Sequence, residues 1–335
     1  MIDPRLPLID LHRHLEGCIR LETMLALADE HGLSLPGKTL ETLRPHVVIS
    51  GTEAGLMEFL NRLHWMIHVL VDVQACRRIA YECVQDAAVE GLDYLELRFS
   101  PGFMARPHSL SEAEVVAAVI EGTRAGERDF GVMTRLIGIM SRTFGPVACR
   151  TELEALLAHR AEIRALDLAG DEARWPGEIF RDHFRRGRDA GWQITVHAGE
   201  AGGAENVRYA IEQLGATRIG HGLRATDDDA VLELIRDRGV GLEINLTSNV
   251  QTSSVPTLAA HPLVYFLQRE MLASINTDDP VISGIDLRHE FAVAAPAAGI
   301  TAEHSRRAQE NAFKTAFLST SERVELTQRV VARQK

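Results

Sequence analysis

Lysine is almost missing from this chain: Lys38, Lys314 and Lys335 are the whole complement among 335 residues. None lies in a glycine-rich loop, which excludes a Walker A phosphate site. No GxSxG elbow occurs, so an esterase-type serine nucleophile is not expected. The nearest approach to a dinucleotide fingerprint, Gly220-His221-Gly222, lacks the third glycine. Cys18, Cys76, Cys83 and Cys149 form no CxxC pair and read as reduced, mostly buried thiols of a cytosolic protein. No apolar run approaches the roughly 20 residues of a membrane helix. The first ten residues, MIDPRLPLID, lack the basic and apolar regions of a signal peptide. A cytoplasmic location without membrane contact is the expectation. There is no basic block either, and the net charge of −11 repels polyanions, so nucleic acid is not an expected partner. The acidity reads as ordinary colloidal solubility, and no obligate protein partner is evident.

Present in quantity is apolar residue, at 45%, enough for a large core. Short apolar, β-branched runs alternate with longer segments of helical spacing. Strands are predicted at 7–12, 93–99, 134–140, 164–169, 193–197, 218–221, 240–246 and 272–277. Ser111 three residues before Glu114 predicts a capped helix start. Thr226 followed by an acidic turn and by Val231, Leu232 and Leu234 predicts another. Eight strands alternating with helices imply parallel pairing and an α/β fold, the (β/α)8 TIM barrel. One domain over 1–335 is expected. A helical excursion over 20–92 separates the first two strands. In it Leu56, Phe59, Leu60, Leu63, Ile67 and Leu70 recur at helical spacing, as a helix packed on the body or a lid over a pocket. Two further helices are expected over 301–334.

Catalytic groups of such barrels sit at the C-terminal strand ends. Strand one ends in His12-Arg13-His14, whose alternation points both imidazoles one way. Strand five ends in His197-Ala198-Gly199-Glu200, strand six in His221, and strand eight runs into Asp278-Asp279. Asp171-Glu172 follows strand four. Singly, each is weak: an HxH pair or an Asp-Asp before Pro280 has ordinary structural uses. Together on one barrel face they predict a single divalent ion held by His12, His14, His197 and Asp278. Imidazole with carboxylate suits Zn²⁺, with Fe²⁺, Co²⁺ and Mn²⁺ as rivals, and leaves room for a water activated for hydrolysis. The end of strand four, Ala169-Gly170-Asp171, has no lysine to bridge a second ion. His64 and His68, four residues apart, have no converging acid in sequence and read as structural.

The stretches DLHRHLEG (10–17), LIGIMSRTFG (136–145), ALDLAGDE (165–172), TVHAGE (195–200), RIGHG (218–222), LTSN (246–249) and ASINTDDP (273–280) resemble the adenosine deaminase family of the amidohydrolase superfamily, nearly end to end. That resemblance implies one Zn²⁺ on His12, His14, His197 and Asp278. It makes Glu200 the proton donor to purine N1 and His221 the group that orients the attacking hydroxide. Asp279 would bind N7 and the Gly170 backbone N3. Residue 16 would meet the ribose, and His14 would also face the substrate. Segment 56–63 matches the family's apolar lid. The implied reaction converts adenosine or 2′-deoxyadenosine to inosine or deoxyinosine plus ammonia. Two positions depart from the pattern: Glu16 stands where Asp is usual, and Asn245 where relatives often have Cys. Both face the sugar side or the end of strand seven, which keeps adenine and 5′-modified adenosines (aminodeoxyfutalosine, methylthioadenosine) as alternative substrates. An amide or ester hydrolase is a more distant alternative, and a non-enzymatic purine- or metal-binding protein a third.

Overall fold

The computed structural model describes residues 2–52 and 55–333. Its eight strands are β1 Ile9–His14, β2 Tyr94–Phe99, β3 Met133–Ser141, β4 Ile163–Ala169, β5 Gln193–Ala198, β6 Arg218–His221, β7 Gly241–Ile244 and β8 Leu272–Ile275. Each pairs in parallel with the next, β1 through β8 in order. The expected α/β barrel is therefore present. The seam between β8 and β1 closes through the site itself. His14 N–H donates to Asp278 O at 2.8 Å, and Asp278 N–H donates to His12 O at 2.7 Å. The strand starting near residue 7 by pattern begins at Ile9 and runs on to His14, so both histidines lie on it.

The excursion holds α1 Leu21–His31, α2 Leu40–Val47, α3 Leu56–Ile67 and α4 Val73–Glu90. In α3, Phe59, Leu63 and Ile67 are buried, as the spacing predicted. Met57, Leu60, Leu63 and His64 line a cavity at the barrel mouth, so the helix both packs on the body and covers a pocket. Ser111 caps the helix Glu112–Phe130 by accepting from Glu114 N–H. Thr226 does not cap the next predicted helix. It lies inside a 3-10 turn, Leu223–Asp227, and Asp228 caps Asp229–Arg238 by accepting from Ala230 N–H. Asp228 stands directly before the helix, where its carboxylate meets the free amide of Ala230. The last two helices are Ala302–Thr315 and Thr320–Arg333. All four cysteines are buried and free.

With helices outside and a packed interior, β2 is buried along its whole length, the usual state of a parallel barrel strand. Yet β2 carries Glu96 and Arg98, β4 Asp167, β6 Arg218 and β7 Glu243, all at most 1% exposed. A buried charge costs several kcal/mol unless paired, and each of these is paired. Arg98 donates to Asp167 Oδ2 and Glu243 Oε2, both at 2.7 Å. Arg218 donates to Glu243 Oε1 at 2.6 Å and to Glu96.

Glu152, on the helix Gly145–Ala158, is a buried carboxyl without a cation. It accepts from Ser100 Oγ at 2.5 Å, Gly102 N–H at 3.1 Å and Ser141 N–H at 2.7 Å. Burial outweighs these bonds and pushes its pKa up to about 8. The native state thus keeps a proton that the unfolded chain releases in the ordinary carboxylate range. Stability attributable to Glu152 is present at acid pH and falls as pH rises toward about 8. Glu152→Gln is expected to flatten that slope, losing less stability than the parent between mildly acid and mildly alkaline buffer in urea melts. Equal slopes would refute it.

Candidate active site

Four donor atoms meet at the C-terminal mouth of the barrel. His14 Nε2 is 3.3 Å from His12 Nε2 and 3.2 Å from His197 Nε2. Asp278 Oδ1 is 3.2 Å from both His12 Nε2 and His14 Nε2. Donors about 2.0–2.1 Å from a tetrahedral ion stand about 3.3–3.4 Å apart, so the spacing fits one small divalent cation. Three imidazoles and a carboxylate are also the chemistry that such an ion prefers. A looser grouping of His12, His197, His221 and Asp278 spans up to 4.8 Å. In it His221 Nε2 stands 3.9 Å from Asp278 Oδ2 and 3.6 Å from Glu200 Oε2. His221 lies outside the donor spacing and beside Glu200, so the tighter set is the better cage.

Neighbouring carboxylates orient the imidazoles. His12 Nδ1 bonds Glu243 Oε2 at 2.7 Å, and His197 Nδ1 bonds Asp167 Oδ2 at 2.9 Å. An acceptor at Nδ1 holds the proton there and leaves the Nε2 lone pair for the ion. Burial opposes ionisation of Asp167, but His197 and Arg98 outweigh it and hold its pKa low. Burial likewise opposes ionisation of Glu243, and Arg98 and Arg218 hold it down. Ser248 donates to Asp278 Oδ2 at 2.6 Å, so Oδ1 is the oxygen left for the cage. His221 and Asp278 both adopt φ near +60°, at 62° and 65°, a conformation His and Asp tolerate better than most. Such strain concentrates where geometry is fixed for function.

Glu200 is buried and held by Glu172, not by the donor cage. The Glu172 carboxylate accepts from the amides of Gly199, Glu200, Ala201 and Gly202 at 2.8–3.2 Å. Glu172 therefore braces the loop, and the acidic pair after strand four is structural. Burial, then the charges of Asp278 and Glu172, pushes the Glu200 pKa well above the ordinary range. Asp279 is raised by burial first, then by Asp278, Glu16 and Glu200. Its Oδ1 has no partner among the described residues. A Cβ at residue 17 would sit 1.8 Å from that oxygen, so Gly17 is what lets Asp279 reach the site. Gly170, at φ 106°, has Thr143 Oγ1 at 2.3 Å from any added Cβ. Its bare backbone lines the same cavity as His14 and Glu16.

That cavity, about 180 Å³, is walled by Met57, Leu60, Leu63, Phe103 and Phe144 on its apolar side. Glu16 Oε1 accepts from Ser100 N–H at 2.6 Å, and Oε2 has no partner. Burial lifts its pKa to about 7. Asn245 does not enter this wall; its Nδ2 lies 3.3 Å from His221 Nδ1. His64 lines the cavity, and His68 offers its carbonyl to His108 Nε2 at 2.7 Å, so neither joins a metal cage.

The family model for adenosine deaminase matches residues 7–333. The chain belongs to the adenosine deaminase family. The adenosine deaminase of Escherichia coli strain SE11 is 56% identical over 333 residues, covering 99% of this chain and 100% of that one. Among solved structures, the adenine deaminase of Arthrobacter aurescens superposes with a TM-score of 0.90 at 27% identity, covering 98% of this chain and 99% of that one. An N6-mAMP deaminase of Arabidopsis superposes with a TM-score of 0.83 at 25% identity, covering 98% of each chain.

Asp167, Glu243, Ser248 and Glu172 hold the site without having been singled out for that task by pattern. The visible signal was a carboxylate flanked by apolar strand residues, as in LDL and GLEI, which demands a buried partner. Asp167→Asn removes the charge at His197 while keeping the shape. Metal affinity should fall about 10–100-fold in competition with a chromophoric chelator. Unchanged affinity in folded protein would show that Asp167 serves only Arg98.

Proposed function

We propose that this site hydrolyses the exocyclic amine of adenosine and 2′-deoxyadenosine, giving inosine or deoxyinosine and ammonia. The convergence of His12, His14, His197 and Asp278 within 3.2–3.3 Å, with Glu200 buried beside them, carries this reading. Full-length similarity to curated adenosine deaminases supports the substrate. We assign one Zn²⁺ to the four donors; when bound, it supplies a Lewis acid that makes water a nucleophile at neutral pH.

The remaining chemistry belongs to the side chains. Asp279 and Glu16 each carry a buried oxygen without a partner among the described residues, and Glu16 lines the cavity. Asp279, in its protonated form, donates to purine N7, and the Gly170 amide meets N3. Glu16 receives a ribose hydroxyl, with His14 lining the same cavity. Glu200 gives its proton to N1 as oxygen adds to C6, so the ring accepts electrons without becoming an anion. A carboxyl with a raised pKa is suited to donate near neutrality. The proton of the added oxygen passes to the exocyclic nitrogen, which leaves as ammonia. The Nε2 side of His221 faces Glu200 and steadies charge on the incoming oxygen. The apolar wall of α3 keeps bulk water out.

Two outcomes are expected. Offered adenosine, 2′-deoxyadenosine, adenine and methylthioadenosine side by side, the zinc-loaded protein should show its highest kcat/KM with adenosine. A higher value for adenine would reassign the substrate to the free base, with Glu16 filling the sugar position. Glu200→Gln should keep full metal content while kcat drops about 10²–10⁴-fold. Full metal with near-parental turnover would remove Glu200 from the acid role.

A further inference from the structure

We propose that His261 and Asn249 are positioning residues that dictate which ring nitrogen of His221 carries its proton. The inference rests on the reading of His221 as a group that touches the reacting atoms.

The backbone N–H of Leu263 can only donate, and it lies 3.1 Å from His261 Nδ1. That nitrogen is therefore a lone pair, and a neutral ring must then carry its proton on Nε2. Burial keeps the ring neutral, pushing its pKa down to about 3. The Nε2–H donates to Asn249 Oδ1 at 3.1 Å. This fixes the Asn249 amide, because the flipped amide would set NH₂ against N–H. Its Nδ2 therefore faces His221 Nδ1, at 2.8 Å. Asn245 Nδ2 approaches the same nitrogen at 3.3 Å. With amide donors on it, His221 Nδ1 is an acceptor, and the proton sits on Nε2.

The direction of every bond in this chain follows from one backbone amide. All three side chains are buried, at 5%, 0% and 1% exposure for His261, Asn249 and His221, so water does not compete for the bonds. The outcome matters at the far end. His221 Nε2 faces Glu200 Oε2 at 3.6 Å and Asp278 Oδ2 at 3.9 Å. A donor there stabilises negative charge growing on the attacking oxygen, whereas a lone pair would repel it. His221 thus differs from His12 and His197. Those rings meet carboxylates at Nδ1 and keep Nε2 bare; His221 meets amides and keeps Nε2 protonated. The partner at Nδ1 sorts the rings into metal-facing and oxygen-facing types.

The test reads tautomers directly. Long-range ¹H–¹⁵N correlations of ¹⁵N-histidine-labelled, zinc-loaded protein, assigned with His221→Gln, should show His221 and His261 as neutral Nε2–H tautomers. An Nδ1–H tautomer of either ring would overturn the proposal. Asn249→Asp sets a carboxylate oxygen against Nδ1 and should draw a proton onto it. With that switch kcat should fall about 10–100-fold, with KM little changed. His261→Leu frees the Asn249 amide and should lower kcat in the same way. His261→Gln, whose amide can reach the Nε2 position, should restore most of it. Parental kcat in both Asn249→Asp and His261→Leu would overturn the proposal, as would failure of His261→Gln to improve on His261→Leu. Should a variant fail to fold, the spectra of the parent protein still decide. If the parent protein does not deaminate adenosine, the functional reading fails, while the tautomers are still measured independently.

Discussion

Asp167 and Glu243 must stay ionised where no water reaches them, and the centre above depends on it. Each carboxylate is held by arginine, Asp167 by Arg98 and Glu243 by Arg98 and Arg218, and each meets one imidazole that uses its negative charge. Arg98 sits between the two acids, and Arg218 links Glu243 to Glu96 deeper in the barrel. A single unpaired member would cost several kcal/mol, so the column holds together as a unit. Its rigidity is passed to His12 and His197 through Nδ1 bonds of 2.7 and 2.9 Å. The barrel interior is thus a charged support for the site, in a place where such folds usually pack branched apolar side chains.

The same barrel treats its upper carboxyls in two ways. Those given cations or several N–H donors, namely Asp167, Glu243 and Glu172, are held in the charged form. Those given burial, namely Glu16, or burial and other acids, namely Glu200 and Asp279, are pushed toward the neutral form. One residue type therefore supplies both fixed supports and groups able to hand over a proton, with surroundings alone making the difference.

Much of this was legible in the chain. Strand-helix alternation revealed eight strands, and strand ends revealed His12, His14, His197, Glu200, His221 and Asp278, because both patterns are local. Chain direction and side-chain alternation alone put those groups on one face. The supports were not legible in the same way. Asp167 and Glu243 lie on different strands and earn their roles through Arg98, so no spacing links them. His261 directly follows the short 3-10 turn Leu258–Ala260, and nothing periodic ties it to His221. Thr226 misled for the opposite reason: capping chemistry is local, but Asp228 two residues on supplies a better acceptor and wins the helix start.

The seam where β8 meets β1 has a further consequence, for the order in which the molecule can be made. Asp278 is joined to the first strand by its own backbone, through His12 O and His14 N–H, and its side chain completes the donor set. A ribosome-bound chain that has emitted the first strands holds the HxH pair but neither the third imidazole nor the carboxylate. The full donor set therefore exists only once the last strand has docked on the first. With the four donors assigned to an ion as proposed, loading would follow barrel closure, and a chain truncated before residue 278 would lack the closing edge of its barrel and the fourth donor together.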